Sequence, residues 1–97
     1  MIPNRIDVIK TITANKSDLA IRYSISRIGV FGSVARNQAD ENSDVDIVVE
    51  MVPDLFKRAA LRQELENLLK QRVDVIRYSN RMNSFLKQRI DREAIYV

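Results

Sequence analysis

The segment SDVDIVVE, residues 43–50, constrains the fold more than any other part of the chain. Val45, Ile47 and Val49 recur at every second residue. An extended backbone points them to one face and turns Asp44, Asp46 and Val48 to the other. Such a strand needs an apolar core on one side and a tolerant setting for two carboxylates on the other. By strand rise, Asp44 and Asp46 stand roughly 7 Å apart on that second face. Left alone they repel each other, and a divalent cation between them reverses the sign. Magnesium takes one or two carboxylates and completes its shell with substrate phosphates and water.

The flanking chain supplies partners for this strand. Residues 25–31 are rich in β-formers and read as a strand that Gly32 ends. Residues 33–36 have room for one helical turn, and 37–43 form a polar loop. Asp54 caps a helix whose apolar stripe is Leu61, Leu65, Leu68 and Leu69. Residues 71–78 read as a third strand, and a last helix carries Phe85, Leu86 and Ile90. Upstream, Asn4 caps a helix with Ile6, Ile9 and Ile12 at helical spacing. Asn15-Lys16 reads as a break, after which Ser17 caps a second short helix through Leu19, Ala20 and Tyr23. This alternation predicts an α/β fold, with helices packed against a small mixed sheet. The helix between the strands at 44–50 and 71–78 is long enough for a parallel crossover. No repeat or Gly/Pro-rich linker divides the chain, so residues 1–97 are expected to form one domain.

Composition removes many chemistries. There is no cysteine and no histidine. Thiolate or imidazole metal sites, disulfides and Ser-His or Cys-His catalysis are excluded, and any metal must be held by oxygen. With 45% hydrophobic and 30% charged residues, the chain reads as globular. The N-terminal stretch shows neither a signal peptide nor a membrane span, so a cytoplasmic location is expected. The net charge is +3 even with four acidic residues between Asp40 and Asp46. That mild excess suits either a solvated surface or an anionic partner.

Two further features meet the paired aspartates. Gly32-Ser33 follows a strand, where glycine lets the backbone approach a ligand and the next amides favour an anion. Arg36 lies about one helical turn from Ser33 and can reach the same anion. Asp74 sits among apolar residues in the third strand. If that strand lies beside residues 44–50, three carboxylates converge. That is a donor set for two metal ions about 3.5–4 Å apart, the clamp for in-line attack on phosphorus. Singly, each feature is ordinary: a solvated strand face, a common turn, an edge-strand aspartate paired with Arg72 or Arg77, a surface arginine, and Ser43 as a turn residue before the strand. Their order within one short span gives them weight.

At these residues the chain resembles the nucleotidyltransferases of the DNA polymerase β superfamily. It is most similar to the minimal nucleotidyltransferases that act as antitoxins beside HEPN-domain toxins. The matching run is Gly32-Ser33-Val34-Ala35-Arg36, a polar loop, then Ser43-Asp44-Val45-Asp46, with ten residues between Ser33 and Asp44. The resemblance implies the nucleotidyltransferase fold. It implies that Gly32 and Ser33 hold a triphosphate, with Arg36 and Ser43 in support. It further implies that Asp44, Asp46 and Asp74 are catalytic and bind two Mg2+ ions, with Mn2+ as a substitute. Asp74 would help activate the attacking hydroxyl. The implied reaction is transfer of AMP from ATP to a tyrosine of a partner HEPN ribonuclease toxin. Two departures stand out: Gly29 lies inside the first strand, and the turn Tyr23-Ser24-Ile25 lacks an expected glycine.

Little chain remains for an acceptor-binding domain, so a partner chain is expected to supply the acceptor, and a homodimer stays open. Two alternatives remain at this point. One is a non-catalytic module that neutralises a toxin by contact. The other is a transferase acting on RNA or a small molecule. With three Phe, three Tyr and no Trp, the chain shows no aromatic-basic platform for RNA.

Overall fold

The computed structural model describes residues 2–97. Helix α1 (Arg5–Tyr23) leads into strand β1 (Ile25–Phe31) and the single turn α2 (Gly32–Ala35). Strand β2 (Val45–Met51), helix α3 (Leu55–Leu69) and strand β3 (Val73–Arg77) follow. Helix α4 (Ser84–Glu93) and the short strand β4 (Ile95–Tyr96) close the chain. The strands form one mixed sheet in the order β3-β2-β1-β4. β2 pairs antiparallel with β1 and parallel with β3, the latter through α3. This is the α/β arrangement that the alternating pattern predicts. Among the described residues, no helix is long and apolar enough to cross a membrane.

Period-two alternation decides what each sheet face meets. Val45, Ile47 and Val49 enter the main core with Val8, Ile12 and Leu19 of α1 and with Leu61 and Leu65 of α3. Val48 points the other way, into a smaller cluster with Phe31 of β1 and Ile90 of α4. Each of these fully buried aliphatic side chains contributes roughly 1.5–3 kcal/mol. Arg22 joins the two helices on the main-core side by ion pairs to Asp18 and Glu64, and the Tyr23 hydroxyl donates to Glu64 at 2.8 Å.

The break expected at Asn15-Lys16 does not occur, and α1 runs unbroken for 19 residues. Asn15 stays helical and its amide donates to the Thr11 carbonyl at 2.8 Å. Val8, Ile12, Leu19 and Tyr23 form one continuous buried stripe. Burying that stripe outweighs a propensity cost of under about 1 kcal/mol for asparagine. Asn4 does cap the helix, its side chain accepting from the Asp7 amide at 3.2 Å. The stripe itself differs from expectation, since Ile6 is 65% exposed and Ile9 only borders the core. Phe85 likewise faces solvent, and Ile90 anchors α4.

Both glycine anomalies have structural causes. Ser24 takes a left-handed conformation, φ 56°, at the end of α1, where glycine would cost least. Gly29 is required by β4, a strand that sequence reasoning leaves unassigned. Gly29 pairs with Tyr96 and Val30 with Ile95, and the Val97 amide donates to the Ile28 carbonyl at 3.0 Å. A Cβ at Gly29 would lie 2.9 Å from the Ile95 carbonyl oxygen and 2.9 Å from Tyr96 Cδ1. Arg27 stacks on the Tyr96 ring, 3.6 Å from its centroid. Gly29→Val is therefore expected to displace β4 and destabilise the protein by about 1–3 kcal/mol in urea unfolding. An unchanged midpoint would mean that β4 contributes nothing to the fold.

Candidate active site

The site grows from the face of β2 that carries Val48. α4 covers Val48 and leaves the Asp46 end of the strand half-buried. Parallel pairing sets Asp46 directly opposite Asp74 of β3. Neighbouring strands lie about 4.8 Å apart, and paired residues project from the same face. The two carboxylates are thus forced together by the backbone. On the other side of β2, Phe31 pairs with Asp46, so Gly32 begins α2 beside the same aspartate.

Gly32 is the tightest point in the site. Its φ is +75°, and a Cβ there would fall 2.2 Å from Asp46 Oδ2. Only glycine satisfies both the left-handed backbone and the approach of that carboxylate. Ser33 follows, half-buried, and its carbonyl accepts from the Gln38 amide at 2.8 Å. Arg36 closes the turn, its amide donating to the Gly32 carbonyl at 3.0 Å. Its guanidinium donates from Nη1 to Glu93 at 2.8 Å and from Nε to Gln38 at 3.1 Å.

Two of the expected site residues lie somewhat apart from this group. Asp44 precedes β2 and pairs with Arg72 at 3.1 Å, both side chains well exposed. The convergence of three carboxylates is therefore incomplete: among the described residues, no group of three acidic side chains stands ready to hold a metal ion. Asp74, for which Arg72 or Arg77 is the alternative partner in the sequence reading, lies in register with Asp46, and Arg72 pairs with Asp44. Ser43 shapes the loop before β2. Its hydroxyl accepts from the Asp40 amide at 2.9 Å and donates to the Asp40 carboxylate at 3.2 Å.

Sequence reasoning missed Glu93 and Arg89, both on α4. Glu93 receives Arg36 and also the Gly32 amide, the latter at 3.2 Å. Arg89 stands 3.8 Å from Glu93 and acts electrostatically on Asp46. The only local signal was their i,i+4 spacing, which any exposed helix can show.

Charge is frustrated at Asp46. Burial first, and then the negative charges of Asp74 and Asp44, push its carboxyl from 3.8 up to about 6, while Arg89 and Arg36 pull against that rise. The donor set is all oxygen, and among the described residues no lysine or arginine forms an ion pair with Asp46 or Asp74. It fits a hard divalent cation held by two carboxylates, with Asp44 recruited from an exposed ion pair worth under about 1 kcal/mol. On its outer side, Asp74 borders a cleft of about 510 Å³ flanked by Arg58 and Arg62.

This sheet, with paired aspartates beside a glycine-serine turn, defines a nucleotidyl-transferring enzyme. The nucleotidyltransferase domain family model matches residues 8–97, and the chain belongs to that family. It is 41% identical over 93 residues to the protein adenylyltransferase MntA of Thermococcus cleftensis, covering 94% of this chain and 93% of that protein. A solved structure provisionally designated a minimal nucleotidyltransferase superposes with TM-score 0.69 at 37% identity, over 89% of this chain and 92% of its own. An MntA–HepT toxin–antitoxin structure superposes with TM-score 0.59 at 25% identity, over 96% and 68% respectively.

The Asp46 carboxyl ties stability to pH. In the unfolded chain it titrates near 3.8, and in the folded chain near 6. Between those values the folded chain binds more protons. Its contribution to stability is full below the lower value and is lost as pH rises through about 6. In metal-free protein, Asp46→Asn is expected to raise the unfolding temperature at neutral pH, with the gain shrinking toward pH about 4. Parallel curves for the two proteins across that window would show that Asp46 carries no such strain.

Proposed function

We propose that this enzyme is an antitoxin that transfers AMP from ATP to a tyrosine hydroxyl of a partner HEPN ribonuclease toxin, using Mg2+. The observation that carries the reading is the Asp46–Asp74 pair set against Gly32 and Arg36, a negative donor pair beside a glycine-serine turn that ends in an arginine. The named activity of the Thermococcus cleftensis relative and the toxin–antitoxin complex among the structural neighbours support the choice of acceptor.

The roles follow from position. The Gly32-Ser33 turn and Arg36 bind the triphosphate oxygens and hold the chain of phosphates still. Asp46 and Asp74, joined by Asp44, would hold Mg2+, which when bound neutralises charge on the phosphates and lowers the barrier to attack. Asp74 borders the open cleft, so it meets the acceptor side and accepts the proton from the attacking hydroxyl. That oxygen forms a bond to the α-phosphorus, the bond from that phosphorus to the α–β bridging oxygen breaks, and pyrophosphate leaves. Leu55 lines the same cleft. It stands near Val52 and Phe56 in sequence, and all three are largely exposed. An apolar rim with arginines inside suits a protein acceptor, because interfaces favour both residue classes.

Intact-mass spectrometry of a HEPN toxin co-expressed with this protein is the test. The toxin should gain the mass of one or more AMP groups. Asp44→Asn with Asp46→Asn should cut transfer by about a thousandfold or more, as loss of a metal site costs several kcal/mol. Tight binding with no added mass would replace this reading by neutralisation through contact. An unmodified, unbound toxin would move the search to RNA or small-molecule acceptors. Protons compete with the cation for Asp46, so transfer at limiting Mg2+ should rise as pH climbs through about 6. A rate independent of pH there would argue that Asp46 is not a ligand.

A further inference from the structure

Glu93 is the one acidic side chain of α4 that turns inward, with 14% of its side chain exposed. Its two oxygens do different jobs. Oε1 receives Arg36 Nη1 at 2.8 Å, and Oε2 receives the Gly32 amide at 3.2 Å. Arg89, one turn earlier on α4, stands 3.8 Å from Oε2. One carboxylate thus ties the first and last residues of the Gly32–Arg36 turn to each other and to the end of α4.

We propose that Glu93 is a positioning residue for nucleoside triphosphate, holding Arg36 and the Gly32 end of the turn in their anion-binding arrangement. This rests on the nucleotide-dependent reading given above. An arginine side chain is long and costly to order, with roughly 1.5–2 kcal/mol of rotamer freedom. Arg36 is held at two points of its fork, Nε by Gln38 and Nη1 by Glu93, which leaves the donors of Nη2 for a phosphate. The ordering cost is met before the ligand arrives, which is how preorganisation raises affinity. Bulk electrostatics predicts the opposite sign. A negative charge beside the turn repels a triphosphate, so a carboxylate acting through its charge alone would weaken binding, and its removal would strengthen it.

The opposite signs make the test clear. Affinity for ATP with Mg2+ is measured by calorimetry on the full chain, with no acceptor present. Glu93→Ala is expected to weaken binding about tenfold, with the unfolding temperature followed in parallel. Glu93→Gln keeps the size and one accepting oxygen and is expected to fall between the two. If Glu93 acts through Arg36, then Glu93→Ala added to Arg36→Ala should cost little more than Arg36→Ala alone. Unchanged or tighter binding in Glu93→Gln would overturn the proposal, as would full additivity in the double variant. If the wild-type chain binds no ATP, the nucleotide-dependent reading itself falls. If it binds ATP and only the Glu93 variants depart from expectation, that reading stands and this inference alone fails.

Discussion

Parallel pairing of β2 with β3 sets Asp46 beside Asp74, and much of the rest is arranged around that contact. Two carboxylates on adjacent strands cost stability, and the backbone leaves them no choice of partner across the sheet. The cost is borne because β2 is otherwise the best-buried strand, with Val45, Ile47, Val48 and Val49 all fully covered. A strand so well anchored on both faces can carry a strained charge at its start. Local rules are broken at Asp46 and Asp74, as they are at functional sites, and consistency elsewhere holds the fold.

The two glycines show the same logic from the steric side. Gly32 yields to a carboxylate, and Gly29 yields to a neighbouring strand. One keeps the site open and the other closes the sheet edge. β4, which directly follows the helix that carries Arg89 and Glu93, fastens residues 95–96 to β1. The last helix is held to the sheet by Ile90 against Phe31 and Val48, with Leu86 packed at the margin of that cluster. Its polar ties to the turn, from Glu93 to Arg36 and to the Gly32 amide, add to that apolar anchor.

The strand expected over residues 44–50 is legible because Val45, Ile47 and Val49 recur at every second position, and it forms one residue later, over Val45–Met51. The Gly-Ser turn and the paired aspartates were legible because their spacing is local. α1 was misread at Asn15, where a weak propensity signal competed with a longer apolar stripe and lost. β4 was invisible, since two residues carry no period, and Gly29 becomes intelligible only once β4 lies against it. Ser24 shows the converse: the turn needed a left-handed residue, as expected, and serine accepts the strain. The pairing of Asp44 with Arg72 brings together side chains 28 positions apart, beyond any pattern in the sequence.

By itself, the sequence determined that any metal donor must be oxygen, the strand that bears Asp46 with Asp44 just before it, and the turn that precedes them. These rest on residue type and on spacings of two to eleven positions, which a chain carries whatever its partners. Tertiary structure alone decided that Asp74 faces Asp46, that Asp44 stands aside, and that Glu93 reaches the turn. Those relations join residues 28 to 61 positions apart. They follow from strand register and helix packing, which depend on the burial of the whole core and not on any local run of residues.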